Sequence, residues 1–224
     1  MGLAPGPVLR HNSTTVKILA VSDQVVDRIY SLISSGQFNG VDLLLGCGDL
    51  PYTYLENILT MLKVPCYYVP GNHDPEYSPV WPQTRAEGGT NLDLRIARFR
   101  GLLIGGFGGS IQYRPDSVNQ YTQAEANARL LRFLPALLWN RILRGRGLDI
   151  LISHSPPMGI HDDDTQAHRG LQAINWLLRI ARPRYHFHGH THFYRQNLAP
   201  SVTRLGRTEI MNIYPYKTIE ISDD

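Results

Sequence analysis

Five short polar clusters in this chain carry residue types that bind divalent cations: Ser22-Asp23, Gly48-Asp49, Gly71-Asn72-His73-Asp74, Ser153-His154 and His188-Gly189-His190-Thr191-His192. Each follows an apolar run of strand type. In open α/β sheets ligands bind at the carboxyl ends of strands, so clusters far apart in sequence can meet at one site. Singly, each has an ordinary explanation. Asp23 and Asp49 suit helix N-caps, Asn72 beside Gly71 suits a turn, and His154 before Ser155-Pro156-Pro157 suits a loop. As a set, Asp23, Asp49, Asn72, His154, His190 and His192 form a mixed oxygen and nitrogen inventory fitted to one or two divalent transition metals. His190 and His192 are the sharpest signal. Side chains at i and i+2 of extended backbone share a face, so both imidazoles can enter one cavity.

The elements that must position these groups follow from the apolar pattern. Val16–Ser22, Val41–Leu45 and Pro65–Val69 read as strands, with helical periodicity over Val25–Ser34 and Leu55–Leu62 between them. Strands alternating with helices imply a parallel sheet covered on both faces. The Pro- and Gly-rich stretch from Pro75 to Asn91 reads as a loop. Leu94–Phe99 and Leu102–Ile104 read as a strand pair running into Gly105–Ser110, whose backbone amides could approach a phosphate. Further on come a helix over Gln123–Leu138, a strand over Asp149–Ser153, a helix over Gly170–Ile180 and a strand over Tyr185–His188. Short alternating runs at Phe193–Leu198, Val202–Leu205, Glu209–Ile213 and Lys217–Ile221 read as antiparallel strands. The reading is a loose, flexible arm over 1–15 and one domain over 16–224, since 224 residues support one sizeable core.

Composition sets bounds. The chain is 42% hydrophobic and 18% charged, a globular profile. Its 22 Lys and Arg are scattered along the sequence with no basic run, so no stable nucleic-acid partner is expected. Cys47 and Cys66 read as buried thiols rather than a bridge. Met1–Thr15 lacks the apolar stretch of a secretory signal, and no segment approaches ~18 uninterrupted apolar residues. The expectation is a soluble, cytoplasmic protein with no membrane partner; the oligomeric state is left open.

The motifs Asp23, Gly48-Asp49, Gly71-Asn72-His73-Asp74, His154 and Gly189-His190-Thr191-His192 stand in the order of the calcineurin-like metallophosphoesterase superfamily, which this chain resembles over residues 16 to 192. The resemblance implies a four-layer α/β/β/α sandwich with two divalent ions between the sheets. Mn²⁺ is the first choice, with Fe, Zn²⁺, Ni²⁺ or Mg²⁺ compatible. It implies that Asp49 bridges the ions, that Asn72, His154 and His190 complete the second site, and that Asp23 and His192 hold the first. It further implies hydrolysis of a small phosphoester, such as a nucleotide, by in-line attack of a metal-activated hydroxide on phosphorus. His73 then assists the leaving group, with Asp74 orienting its ring. Gly-Asn-His-Asp resembles the small bacterial and archaeal phosphodiesterases; a phosphomonoesterase and a non-catalytic scaffold of the same fold are the alternatives.

One position departs from the pattern. The family's first motif is Asp-x-His, and Val25 stands at its histidine. The first site is therefore expected to bind weakly, to take extra water, or to borrow a donor from His161, His168 or His188, unless Val25 simply packs under the following helix. His186 and His188 read more simply as strand residues. Tyr113, Asn119 and Tyr121 are candidates to line the cleft, and Arg169 to contact phosphate.

Overall fold

The computed structural model describes residues 15–78, 80–192 and 201–222. The arm expected over 1–15, apart from Thr15, and the strand expected over Phe193–Leu198 lie outside the described residues. In chain order the elements of the first half are β1 (Val16–Val21), α1 (Arg28–Ser34), β2 (Leu43–Gly46), α2 (Tyr52–Leu62), β3 (Cys66–Tyr68), β4 (Gly89–Asn91), β5 (Ile96–Phe99) and β6 (Leu102–Phe107). Then follow β7 (Ser110–Ile111), β8 (Gln120–Tyr121), α3 (Gln123–Arg144), β9 (Ile150–Ser153), α4 (Gln172–Ala181), β10 (Tyr185–His188), β11 (Val202–Leu205), β12 (Thr208–Asn212) and β13 (Tyr216–Ile221).

The strands form two mixed sheets, ordered β13-β1-β2-β3-β4 and β11-β12-β10-β9-β6-β5, with β7 and β8 a separate pair. The period of two along β1 shows how they stack. Ile18 and Ala20 join Leu43 and Leu45 of the first sheet and Ile104, Ile150, Ile152 and Phe187 of the second in one buried cluster. Leu19 and Val21 point the other way, into a cluster with Ile29 of α1 and Leu55 and Ile58 of α2. On the far side Leu103, Phe107 and Leu151 pack on Leu130 and Phe133 of α3 and Ile174 and Leu177 of α4. The packing order is thus helices, sheet, sheet, helices. Strands buried on both faces must be apolar throughout, which is why they read as continuous runs. Each fully buried Leu or Ile contributes roughly 1.5–3 kcal/mol to holding the sheets together.

Several boundaries differ from expectation. The stretch 75–91 contains β4, a parallel edge strand; Gly-Thr-Asn offers no apolar alternation to reveal it. Helix α1 begins at Arg28, three positions after Val25, and Val25 is 40% exposed rather than packed beneath it. Helix α3 runs past Leu138 to Arg144, across Pro135, and ends at Gly145 in the left-handed region (φ 76). The C-terminal strands are not one antiparallel unit. β12 pairs parallel with β10, and β13 pairs antiparallel with β1 in the other sheet. Gly105 and Gly106 lie inside buried β6, where a Cβ meets Leu148 at 2.7 Å and Val69 at 2.6 Å; close packing, not a phosphate cradle, accounts for them.

Candidate metal centre

Four of the five polar clusters leave the ends of β1, β2, β9 and β10, and the fifth follows β3, so all lie on the carboxyl edge of the two sheets. The backbone departs sharply from extended geometry there. Asp23, Asp49 and His190 have φ of 64, 55 and 67, a region that costs most L residues energy and that surrounding bonds must hold. Asp23 is held by the Ser22 hydroxyl, 2.5 Å from its Oδ2, and by the His190 amide, 3.1 and 3.0 Å from its two oxygens. Asp49 Oδ1 accepts the His73 amide at 2.8 Å. These approaches leave no room for side chains at two glycines. A Cβ on Gly71 would stand 2.0 Å from Asp49 Oδ1, and one on Gly189 would stand 1.8 Å from Ser22 Oγ.

At the centre, ligand atoms of Asp49, His154 and His190 all lie within 4.8 Å of one another. Backbone carbonyls fix which imidazole nitrogens face inward. His154 Nδ1 donates to the Cys47 carbonyl at 2.9 Å and His190 Nε2 to the Ala167 carbonyl at 2.7 Å. His154 Nε2 then faces Asn72 Oδ1 at 2.9 Å, His190 Nδ1 at 3.1 Å and Asp49 Oδ2 at 3.2 Å. Burial alone would strip the second proton from His154, yet the charge and hydrogen bond of Asp49 outweigh it and hold the ring up at about 10. Burial opposes ionisation of Asp49 too, but the His154 cation keeps its carboxyl well below the usual range. Burial, then the His154 charge, press His190 down to about 3, so it presents a neutral lone pair. Three acceptors thus converge on one shared proton at His154 Nε2. That donor set, two imidazoles with a carboxylate and an amide oxygen, fits a divalent transition ion taking the proton's place.

Asp23 and His192 form a second, looser pair. His192 Nε2 is 3.8 Å from Asp23 Oδ1, the Asp23 carboxylate raises its pKa, and its ring stacks on Tyr214 at 4.6 Å. Asp23, Asp49, Asn72, His73, His190 and His192 all line one cavity of about 290 Å³, with His154 fully buried beside them. Every predicted ligand is therefore gathered at one place. Tyr113, which accepts from Asn72 Nδ2 at 3.1 Å, Ala167 and His168 complete the lining. A second cleft of about 440 Å³ adjoins it, walled by Pro51, Tyr52, Pro75 and Pro82, and Asp49 and His73 border both.

Some expectations are redirected. Asp74 does not hold the His73 ring; its Oδ2 accepts the amides of Gly71 at 2.7 Å and Asp49 at 3.0 Å, and burial raises its pKa to about 6. His190 and His192 share a cavity without sharing a strand face, because β10 ends at His188 and the chain turns at His190. A turn of the same hand at Asp23 means that Asp23 and Val25 do not share a strand face either. Among the histidines considered as extra donors, His168 lines the cavity, 5.3 Å from the His190 ring, whereas His161 and His188 bond each other at 2.9 Å. Asn119 donates to the Asp74 carbonyl at 3.1 Å, Tyr121 stacks under Arg129, and Arg169 does not line the cavity. Ser22 was missed. Its only signal in the sequence is its place before Asp23.

A family model described as calcineurin-like phosphoesterase matches residues 16–194. One solved crystal structure aligns with a TM-score of 0.63 at 16% identity, over 94% of this chain and 100% of its own. TT1561 of Thermus thermophilus aligns with a TM-score of 0.56 at 18% identity, over 89% of each chain. Vacuolar protein sorting 29 from Cryptosporidium parvum aligns with a TM-score of 0.43 at 14% identity, over 89% of this chain and 74% of its own. For the first two, at such identities, the likeness is one of fold. No curated protein matches the chain.

Proposed function

Since this chain belongs to the calcineurin-like phosphoesterase family, we propose that it is a phosphodiesterase working with two divalent ions, Mn²⁺ foremost. The observation that carries the reading is the convergence of Asp49, Asn72, His154 and His190 on one point, with both imidazoles locked in the ligating tautomer by backbone carbonyls. Those four residues would hold the second ion, and Asp23, Asp49 and His192 would hold the first. When bound, such a pair neutralises phosphate charge and lowers the pKa of water enough for attack near neutral pH.

The chain's own residues do the rest. Asp49 lines the same cavity as both donor sets, and its Oδ1 bond to the His73 amide fixes where His73 begins. His73 is exposed at the border of both clefts, placed to give a proton to an oxygen leaving toward the proline-walled side. Asp74 is a positioning residue: by tying Gly71 to Asp49 it sets the turn from which Asn72 and His73 project. The Pro51, Tyr52, Pro75 and Pro82 walls suit a flat ring on the leaving group, such as a nucleoside.

The rival reading, a non-catalytic scaffold, draws on Val25, which leaves the first site a ligand short. Hydrolysis of bis(p-nitrophenyl) phosphate separates the two. Turnover should appear with added manganese and vanish in EDTA. Turnover that survives thorough chelation sinks the metal mechanism; in protein shown to carry both ions, no turnover of this diester with turnover of p-nitrophenyl phosphate makes it a phosphomonoesterase, and no turnover of either supports the scaffold.

A further inference from the structure

The arginines that are scattered in the sequence are not scattered in space. Arg144, Arg179, Arg182, Arg184, Arg204 and Arg207 line one cleft of about 1240 Å³, together with Arg146. They come from the C-terminal ends of α3 and α4, the entry to β10 and the β11–β12 hairpin. This is the end of the second sheet opposite the metal centre, roughly 15 Å away along strands of this length.

Part of the cluster has a local cause. Cations at helix C-termini are stabilised by the helix dipole, which accounts for Arg144 and Arg179. It does not account for Arg184, Arg204 or Arg207, which lie on no helix. Nor is the charge neutralised from within. Asp149 pairs with Arg146, and among the described residues none of the other six makes an ion pair, even though Glu209 faces Arg204 across the hairpin register. Converging like charges destabilise the fold unless an anion joins them. Arg184 adds a separate sign: its Nη1 is buried and has no hydrogen-bond partner. A buried guanidinium nitrogen left without an acceptor is costly, and a rotation of the Arg184 side chain, which lines the cleft, would give it a ligand oxygen.

We propose that this cleft is a binding site for an anion bearing several phosphates, separate from the hydrolytic centre. Guanidinium forks match phosphate oxygens two at a time, and only 3 of the 22 basic residues in the chain are lysine. The volume far exceeds a single phosphate, while six guanidiniums with no ion pair among the described residues match a chain or ring of phosphates. Among the described residues no aromatic ring lines the cleft, so the stacking platform by which proteins hold single-stranded nucleic acid is missing.

Isothermal titration of the full chain with inorganic tripolyphosphate tests this. Binding should weaken with salt, as exposed phosphate contacts do. It should weaken by about tenfold or more in Arg204→Gln/Arg207→Gln, and less in Arg207→Lys, which keeps charge but loses the fork. Both residues are exposed, and manganese-supported hydrolysis in the double variant should equal that of wild type. Vesicles with and without a bis-phosphorylated inositol lipid identify the source: binding to the charged vesicles alone assigns a lipid headgroup, and binding to tripolyphosphate assigns a free ligand. No binding to either, binding unchanged in the double variant, or capture of an oligonucleotide that tripolyphosphate does not displace overturns the proposal.

Discussion

His186 lies wholly buried in β10, beneath the loop that carries His154, and offers a prediction whose size follows from the structure. Ser153 Oγ donates to the Ser155 carbonyl at 2.7 Å, so it accepts from His186 Nε2–H at 2.8 Å. That fixes the tautomer. Nδ1 is left unprotonated, buried and without a partner, and a second proton there would be a cation with nothing to pair it. Burial, reinforced by His161, accordingly lowers the pKa to about 3. The folded pKa is depressed below the ordinary 6.5, so the unfolded chain binds the proton first. The stability this group contributes is complete above about pH 6.5 and is lost progressively as pH falls toward 3.

Integrating that linkage, His186 removes about 2 kcal/mol of stability between about pH 7.5 and about pH 5. His186→Phe keeps a ring of similar volume that cannot titrate. It should be less stable than wild type by about 1 kcal/mol near neutrality, for the lost hydrogen bond. By about pH 5 that gap should have closed and reversed, by about 2 kcal/mol in total. Urea unfolding of both proteins across this range, in excess chelator so that metal release does not contribute, measures the difference directly. A gap that stays constant with pH refutes the reasoning, because it shows that His186 takes up its proton equally in both states.

Asp49→Ala should be the most damaging ligand substitution, abolishing binding at both metal positions, and elemental analysis of the purified variant checks it. His73→Ala should retain metal while lowering turnover by on the order of 10² to 10⁴, with smaller losses for esters of acidic leaving groups. Equal losses across leaving groups point to positioning instead. Gly189→Ala places a Cβ 1.8 Å from Ser22 Oγ and 2.2 Å from Asp23 Oδ2, so it should weaken the first site more than the second in a metal titration. Val25→His should tighten the first site alone, since Val25 is 40% exposed and an imidazole there needs no new cavity. Two equal, tight sites in wild type, unchanged in the variant, contradict this.

The donor set was legible because its chemistry is local. Asp, Asn and His at strand ends can be read one cluster at a time, and apolar runs locate the strands. What brings the donors into register is not local. The left-handed turns at Asp23 and His190 are held by bonds to each other across most of the chain, and the i, i+2 rule stops applying where β1 and β10 end. The arginine cleft was hidden for a similar reason: its arginines come in three short groups, at 144–146, 179–184 and 204–207, none of them an unbroken basic run, and only the fold brings the groups together. Strand β4 escaped because an edge strand of three residues need not be apolar.

The two halves of the metal centre differ in how firmly they are built, and this bears on how such a site fills. His154 is fully buried, Asn72 and His190 nearly so, and the ring orientations of both histidines are set by main-chain carbonyls. A cation entering there finds its ligands already ordered, and little conformational entropy is lost on binding. On the other side the His192 side chain is 43% exposed, rests on Tyr214, and stands 3.8 Å from Asp23. His192 must still close on an ion, and with Val25 in place of an imidazole there is one ligand fewer on this side. Weaker preorganisation and a smaller ligand count act in the same direction, so on the proposed function the Asp49, Asn72, His154 and His190 site should fill first, and turnover should follow occupancy of the Asp23 and His192 side; a metal titration in which activity saturates with the first equivalent contradicts this.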